Sequence, residues 1–188
     1  MIKPGVRTIG IDDGPFDRAR AGDVLIAGAI YRGGEIFDGL LTTRIRKDGW
    51  NATDKILAML DGSKFLPQLH YIMLDGIALG GFNIVDIQRL NERTGLKVLV
   101  AVRRKPDLRA VRRALERTSR PEKRWEILSR AGEIVRIEKL HCQLTGMDLD
   151  EARDLVRLTC TRSHVPEPIR AAHLIAGGLI RGQSGRRA

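Results

Sequence analysis

The order of the apolar runs along the chain restricts its fold more than any other feature of the sequence. Three strand-like runs come first, at residues 6–11, 23–31 and 35–46. Gly33-Gly34 separates the second run from the third and favours a tight hairpin turn. Strands that follow each other in sequence commonly pair, so these runs predict a three-strand antiparallel meander.

After the meander, the spacing of the apolar residues indicates helices alternating with buried strands. Asn51 or Thr53 can cap the first of these helices, and Asn83 can cap the second. The predicted elements are, in chain order, a helix over 53–60, a strand over 69–74, a helix over 83–94, a strand over 97–102, helices over 107–117 and 121–130, an edge strand over 133–140, and helices over 148–159 and 166–179. This order, β-β-β-α-β-α-β-α with an extra strand and two helices, predicts an α/β fold. Its mixed sheet would have βαβ crossovers after the meander and helices on both faces.

The length and composition fit one domain. Of the 188 residues, 43% are hydrophobic, which is enough for a single core. We expect one domain over residues 1–180 and a basic C-terminal tail over 181–188. No apolar run approaches the roughly 18 residues of a membrane-spanning helix, and the N-terminus lacks a signal-peptide pattern, so the sequence predicts a cytoplasmic protein without a membrane partner. Cys142 and Cys160 show no disulfide or metal-binding spacing and are predicted to be core thiols.

Basic residues are concentrated in one segment of the chain. The formal net charge is +10, from 33 Lys+Arg and 23 Asp+Glu, and four acids accompany eleven basic residues between positions 103 and 130. We call these eleven residues the basic belt: Arg103, Arg104, Lys105, Arg109, Arg112, Arg113, Arg117, Arg120, Lys123, Arg124 and Arg130. Such a cluster can neutralise the phosphates of a nucleic acid, and an arginine-rich solvated surface is the alternative. Because aromatics make up 4% of the chain, base stacking is not expected to be the main means of binding.

Three acidic residues occupy positions from which they could share a metal ion. Asp12 ends the first predicted strand and Asp75 ends the fourth, so their side chains meet if these two strands are neighbours in the sheet. Two adjacent carboxylates repel each other unless a divalent cation lies between them, and oxygen ligands favour Mg²⁺ or Mn²⁺. Asp54, in the first turn of the predicted helix over 53–60, is the candidate for a third acid. Each acid can instead serve a turn or a helix start, as the Asp75-Gly76 pair and the position of Asp54 allow.

The histidines carry weaker signals. His70 lies within a predicted buried strand, and the His141-Cys142 pair lacks the further ligands that a soft-metal site needs. His173, on the predicted C-terminal helix, could approach the acidic residues, and an ordinary place on the helix surface is the alternative.

Four motifs of the chain resemble those of a known protein family. They are Ile9-Gly10-Ile11-Asp12, Ile72-Met73-Leu74-Asp75-Gly76, the strand over 98–102, and Val165-Pro166-Glu167-Pro168-Ile169-Arg170. In their order and spacing they resemble endonuclease V, and more closely an archaeal family related to endonuclease V. The resemblance implies a ribonuclease H-like fold, with metal-binding carboxylates at Asp12 and Asp75 and a third acid near Asp54.

The chain departs from endonuclease V in three places. Endonuclease V has a lysine where this chain has Arg103 or Arg104, and an arginine can hold a phosphate but does not donate a proton at neutral pH. Endonuclease V also follows its Asp-Gly with a histidine and a His-Pro-Arg segment, whereas residues 77–82 of this chain read IALGGF. Its Pro-Tyr-Ile-Pro wedge has no counterpart in residues 37–50.

The sequence supports two main functional hypotheses. The first is a metal-dependent phosphodiesterase, an endonuclease V-like nuclease acting on RNA or DNA, in which Asp12 and Asp75 bind Mg²⁺ or Mn²⁺ with help from Asp54. The side chains that would hold phosphates are Arg103, Arg104 and Lys105. The second is a nucleic-acid-binding protein that keeps the fold without catalysis, and an enzyme acting on another phosphorylated substrate is a third possibility.

The sequence leaves the oligomeric state open. The nuclease hypothesis makes one geometric prediction, which is that the carboxyl groups of Asp12 and Asp75 lie on adjacent strands about 4–7 Å apart, close enough to share a metal ion.

Overall fold

A computed structural model describes residues 2–185 of the chain. In this part of the chain the strands are β1 (Arg7–Asp13), β2 (Asp23–Arg32), β3 (Ile36–Arg46), β4 (Leu69–Asp75), β5 (Ala78–Leu79), β6 (Asn83–Ile84), β7 (Lys97–Val102), β8 (Val135–Ile137) and β9 (Leu140–Thr145). The α-helices are α1 (Ala52–Asp61), α2 (Ile87–Thr94), α3 (Leu108–Leu115), α4 (Pro121–Arg130), α5 (Leu149–Thr159) and α6 (Glu167–Arg181), and a single 3₁₀ turn at Leu66–Gln68 precedes β4. None of the described helices is long and apolar enough to cross a membrane.

Seven strands form one mixed sheet in the order β3-β2-β1-β4-β7-β9-β8. The first three are antiparallel neighbours, which confirms the predicted meander. Strands β4 and β7 then add in parallel beside β1, and the β8–β9 hairpin closes the other edge. Strands β5 and β6 form a separate two-stranded ribbon directly after β4. The mixed sheet with crossovers is therefore as the sequence predicts.

Helices cover both faces of the sheet because the central strands are apolar on both sides. On one face Ile9 and Ile11 of β1 pack in a core with Ile56 of α1 and Leu90 of α2. On the other face the strand side chains of alternate positions, such as Met73, pack in a second core with residues of α5 and α6. Neighbouring residues of one strand thus point to different helical layers.

Helix α6 lies unusually close to β1 and β2. A Cβ atom added to Gly10 would lie 2.1 Å from the carbonyl carbon of Pro168, so the helix backbone rests directly on the strand at this point. Beside it, small side chains form the contact between the helix and β2, and these are Ala27, Ala29, Ala172 and Ala176. Glycine and alanine at these positions therefore fix how near the residues of α6 come to the end of β1.

Two predicted boundaries are wrong. The helix predicted over 83–94 begins at Ile87, where Asp86 caps it by accepting a hydrogen bond from the main-chain N–H of Arg89 at 3.1 Å. Asn83 lies in β6 instead, wholly buried, and its side chain accepts from Ala52 N (3.0 Å) and donates to Arg46 O (2.9 Å). Its amide satisfies buried main-chain groups of the neighbouring loop, a demand that the local sequence does not show.

The strand predicted over 133–140 corresponds to the edge strand β8, which ends at Ile137, and a further strand, β9, begins at Leu140. The chain turns at Glu138, which has a φ of 50°, and β9 pairs with β7 inside the sheet. Strand β9 was not predicted, because His141 and Gln143 interrupt its apolar pattern. Gln143 is nevertheless buried, with its amide donating to Gly132 O at 3.0 Å.

The chain end and the cysteines follow the sequence expectations in part. Helix α6 continues to Arg181, which is the first residue of the predicted tail, and residues 186–188 of that tail lie outside the described part of the chain. Cys142 is buried in the core between the sheet and α5, and Cys160 packs against the same core. Both are free thiols within the hydrophobic layer, as predicted.

Candidate active site

Asp12 and Asp75 lie side by side at the carboxyl ends of two parallel strands. The β1–β4 register pairs Gly10 with Met73 and Ile11 with Leu74, so the two acids come next on each strand. Alternation along the strands places both on the face that α6 covers. One ligand atom from each of Asp12, Asp75 and His173 lies within 4.8 Å of the other two. The predicted proximity of the two carboxylates on adjacent strands is confirmed.

His173 is the third member of this group and comes from α6. Its Nδ1 atom lies 2.7 Å from Asp12 Oδ2, across 161 residues of sequence. The Asp12 side chain is 7% exposed and that of His173 is 39% exposed. The group therefore opens to solvent on the His173 side, although Asp12 itself is covered. His173 reaches this position because the backbone of α6 packs directly against Gly10.

The electrostatics of the group show a shortage of positive charge. Burial raises the pKa of Asp12 from 3.8 to about 6, the hydrogen bond from His173 opposes this rise, and the neighbouring Asp75 and Asp13 add to it. Burial also raises the pKa of Asp75, while His173 and Arg103 lower it. One buried and one half-buried carboxylate beside a single imidazole would be stabilised by a divalent cation, which would supply the missing charge. This donor set fits Mg²⁺ or Mn²⁺.

Asp54 is placed elsewhere. It lies in α1, on the opposite face of the sheet from α6, where its side chain is 58% exposed and pairs with Arg89 at 2.6 Å. Within residues 2–185, the group of close ligand atoms consists of Asp12, Asp75 and His173. The structure thus brings together two of the three acids that the sequence singled out, and adds a histidine in place of the third.

The acid next in sequence faces the other side. Asp13 points away from α6, and its Oδ2 accepts a hydrogen bond from the main-chain N–H of Gly80 at 2.5 Å. Burial raises the pKa of Asp13, and the Gly80 bond opposes the rise. Asp13 lines a cleft of about 830 Å³. Phe16, Lys47, Phe82 and Arg117 also line this cleft.

The three predicted phosphate-binding residues follow the carboxyl end of β7, on the same side of the sheet's central strands where the acids lie at the ends of β1 and β4. Arg103, Arg104 and Lys105 are all exposed. Arg103 is near enough to Asp75 to lower the pKa of that carboxyl group. Strand β7 is the neighbour of β4, so these three cations follow the strand next to the one that ends in Asp75. Cations in this position can bind the phosphates of a nucleic acid.

Most of the basic belt is on the surface, with one exception. In α3 the side chains of Arg109, Arg112 and Arg113 are exposed, and Arg112 stacks on Trp125 with 5.2 Å between its Cζ and the ring centroid. Arg124 is completely buried, which corrects its place in the predicted surface cluster. The remaining cations of the belt are exposed, and the first of them, Arg103, is close enough to Asp75 to lower its pKa.

An apolar recess of about 240 Å³ starts at Gly76, directly after Asp75. Its walls are apolar side chains of the segment after β4, of β7 and of α3, including Ile77, Val102 and Val111. His141 and Gln143 of β9 also line it. A recess of this size can hold one flat apolar group.

Comparison of the sequence with known proteins shows the family of this chain. The sequence profile of the endonuclease dU family matches residues 4–180. A UPF0215 protein from Methanothermobacter thermautotrophicus is 49% identical over 188 residues, which cover 98% of this chain and 92% of that protein. A UPF0215 protein from Deinococcus radiodurans is 44% identical over 177 residues, which cover 94% of this chain and 90% of that protein.

Solved structures show the same fold. A protein of unknown function from Archaeoglobus fulgidus has a TM-score of 0.87 and 40% identity, over 93% of this chain and 98% of that one. Human ENDOV has a TM-score of 0.62 with 12% identity, over 94% of this chain and 85% of that one. Endonuclease V from Ciona intestinalis, in complex with a DNA that contains an inosine, has a TM-score of 0.54 with 13% identity, over 89% and 82% of the two chains. The chain has the ribonuclease H-like fold of endonuclease V, and it belongs to the endonuclease dU family.

Proposed function

We propose that this chain is a metal-dependent endonuclease that hydrolyses phosphodiester bonds in DNA next to deoxyuridine. Family membership and fold support a nuclease-type function, and the family's name suggests the lesion. The observation that carries the proposal is the group of Asp12, Asp75 and His173 at the carboxyl ends of β1 and β4, with Arg103 close to Asp75.

Asp12 and Asp75 would hold the cation. Their oxygens are close together, and burial raises the pKa of both carboxyl groups. The neighbouring acids raise the pKa of Asp12 further. A divalent ion would therefore reduce the repulsion between the two carboxylates. A Mg²⁺ or Mn²⁺ ion held by these residues would supply positive charge for the phosphate oxygens and would make the attacking water more acidic. The two strands hold both ligands rigidly, since they lie in the centre of the sheet.

His173 would be held in one orientation by Asp12 and would move a proton. When its Nδ1–H donates to the ionised Asp12 carboxylate, the ring is fixed in one orientation and Nε2 is its basic nitrogen. A histidine held in this way can accept a proton from an attacking water, in the manner of a general base. Asp12 therefore has two tasks, which are to bind the cation and to orient the imidazole.

The basic surface would hold the DNA backbone. Arg103, Arg104 and Lys105, which are exposed, would bind phosphates next to the bond that is cleaved, and the exposed arginines of α3 would extend this surface. The apolar recess after Asp75 is the place where a base of the bound strand would fit.

A second candidate function is DNA binding without cleavage. The observation that favours it is the position of Asp54, whose ion pair with Arg89 leaves two carboxylates in the acidic group. The two candidates differ in a single assay, because both require DNA binding and one requires turnover.

The test is cleavage of an end-labelled duplex that contains one deoxyuridine, beside the same duplex with thymidine, in Mg²⁺, Mn²⁺ or EDTA. We expect cleavage of the deoxyuridine duplex with either metal and none in EDTA. The thymidine duplex is a matched control, because the two bases differ by the C5 methyl group. Inosine-containing DNA and the corresponding RNA strands test the wider substrate range. Binding without any cleavage supports the second candidate, and the absence of binding to every substrate contradicts both.

The acidic group gives a prediction about pH. Asp12 has a pKa of about 6 in the folded metal-free chain against an ordinary 3.8, so the folded state holds this proton more tightly than the unfolded chain. The stability that the proton contributes, up to about 3 kcal/mol, is complete below the ordinary pKa and is lost as the pH rises through the raised one. Because a metal ion competes with the same proton, we expect Mn²⁺ to raise the melting temperature at about pH 7.5 and much less at about pH 5.

Thermal unfolding of the wild type and two variants, with and without Mn²⁺, checks this prediction. Asp12→Asn removes the titrating carboxyl group and should flatten the pH dependence of the metal-free protein. Asp75→Asn should abolish most of the Mn²⁺ effect. An equal Mn²⁺ effect at the two pH values, or an undiminished one in Asp75→Asn, would mean that the ion binds elsewhere.

A further inference from the structure

One arginine of the basic belt has surroundings unlike those of the others. Arg124 of α4 has a completely buried side chain, although folded proteins usually keep arginine at the surface. The ring of Trp50 covers it, with 4.1 Å between the guanidinium Cζ and the ring centroid. A buried guanidinium is destabilising unless its five N–H donors are bonded, so its partners show which segments it holds together.

The guanidinium of Arg124 binds main-chain carbonyl oxygens of three loops. Nη2 donates to Asp48 O at 2.6 Å, and Nη1 donates to Gly49 O at 3.1 Å, both in the loop between β3 and α1. Nη1 also donates to Phe82 O, in the loop between β5 and β6. Nε donates to Ser119 O at 3.2 Å, just before α4. A single side chain thus joins two loops that are far apart in sequence.

A second set of hydrogen bonds joins the same two loops. Asp48 Oδ1 accepts from Phe82 N at 2.8 Å, and Asp48 N donates to Gly80 O at 2.8 Å. Between them, Gly81 has a φ of 90°, and a Cβ there would lie 2.2 Å from Asp48 Oδ1. Residues 47–51 and 80–83 therefore form one unit with no room for a side chain at Gly81. Arg124 stabilises this unit through its hydrogen bonds to the main chain of both loops.

This unit forms a wall of the cleft that Asp13 lines at the end of β1. Gly80, at one end of the unit, donates its main-chain N–H to Asp13, the residue after Asp12. Asp48, Gly81 and Phe82 line the cleft itself. Arg18, Lys47 and Arg117 also line this cleft, so it can hold the phosphates of a DNA strand, and the spacing of the two loops decides how well that strand fits.

We infer that Arg124 is a positioning residue that fixes the shape of this cleft and thereby strengthens DNA binding without contacting DNA. The inference rests on the proposed function, because the shape of the cleft matters to a strand that enters it. The carboxylates of Asp12 and Asp75 lie on the other face of the sheet, under α6, and share no hydrogen bond with Arg124. Loss of the guanidinium should therefore weaken DNA binding and leave metal binding unchanged.

The test compares Arg124→Met, which keeps an unbranched side chain, with Arg153→Met, an exposed arginine of α5. Both variants lose one positive charge, so nonspecific electrostatics change equally. We expect Arg124→Met to bind DNA at least about tenfold more weakly, with a raised KM and a kcat within about threefold of wild type at saturating DNA. Its Kd for Mn²⁺, measured without DNA, should be unchanged. Hydrogen exchange should speed up at residues 47–51 and 80–83 and nowhere in Arg153→Met.

Gly81→Ala is a second variant that breaks the same junction without touching the arginine, and it should give the same pattern if Arg124→Met does not fold. Unchanged exchange in both loops, or DNA affinity that falls equally in Arg153→Met, would overturn the inference. So would a parallel loss of Mn²⁺ binding, which would indicate general damage. If the wild type neither binds nor cleaves DNA, the proposed function fails while hydrogen exchange still decides whether Arg124 fixes the loops.

Discussion

Replacing Asp75 with asparagine is expected to reduce DNA cleavage by at least about 1,000-fold while the protein still folds and still binds DNA. Asparagine keeps the size of the side chain and suits the turn at Gly76, but it removes half of the negative charge that would hold the cation. Because Asp75 raises the pKa of Asp12 by repulsion, the variant should be at least as stable as the metal-free wild type. Single-turnover cleavage, DNA binding by fluorescence anisotropy and thermal unfolding measure the three parts of this result.

Two further substitutions make the result specific. Asp150→Asn is the same chemical change at an exposed acid of α5 and should leave cleavage at the wild-type rate. Asp54→Asn examines the acid that the sequence placed third, and we expect a smaller loss than for Asp75→Asn because Asp54 is half exposed and paired with Arg89. Cleavage that survives Asp75→Asn would rule out the metal mechanism at this pair.

The order of elements could be predicted from the sequence because β1, β2, β4 and β7 each contain a run of mostly apolar residues. Asp12 and Asp75 could also be found, since both end such runs and parallel neighbours bring their ends together. The start of α2 and the whole of β9 could not be predicted. In both places a polar side chain, Asn83 or Gln143, is buried to satisfy main-chain groups that are distant in sequence.

The sequence raised the approach of His173 to the acidic residues as one of two alternatives, and the structure confirms that approach. The contact of His173 with Asp12 depends on how α6 rests on β1, and the signal for that contact is the small residue Gly10 rather than anything near the histidine. Arg124 is a similar case, because in the sequence it is one arginine among many, and its burial follows from carbonyl groups of distant loops. Sequence patterns identify strand ends and charge clusters, but they do not identify which member of a cluster turns inward.

The exposed part of the basic belt should carry most of the salt-dependent DNA affinity. Replacing Arg109, Arg112 and Arg113 together with alanine removes three exposed cations from α3 and should lower the slope of log affinity against log salt by up to about 2.7, at about 0.9 for each phosphate contact on duplex DNA. The expected loss of affinity is larger at low salt, because there the release of counterions contributes most to binding. Anisotropy titrations over a series of salt concentrations measure both quantities.

The matched control for this triple variant is Arg136→Ala, Arg153→Ala and Arg157→Ala, which removes three exposed arginines from β8 and α5 and produces the same net charge. If α3 binds the DNA backbone, the control keeps most of the wild-type slope, because a change in net charge alone removes no phosphate contact. Equal slopes in the two triple variants would show that the protein attracts DNA by its overall charge. An unchanged slope in the α3 variant would show that these arginines face solvent in the complex, and that the phosphates are held by Arg103, Arg104 and Lys105 at the edge of the acidic group.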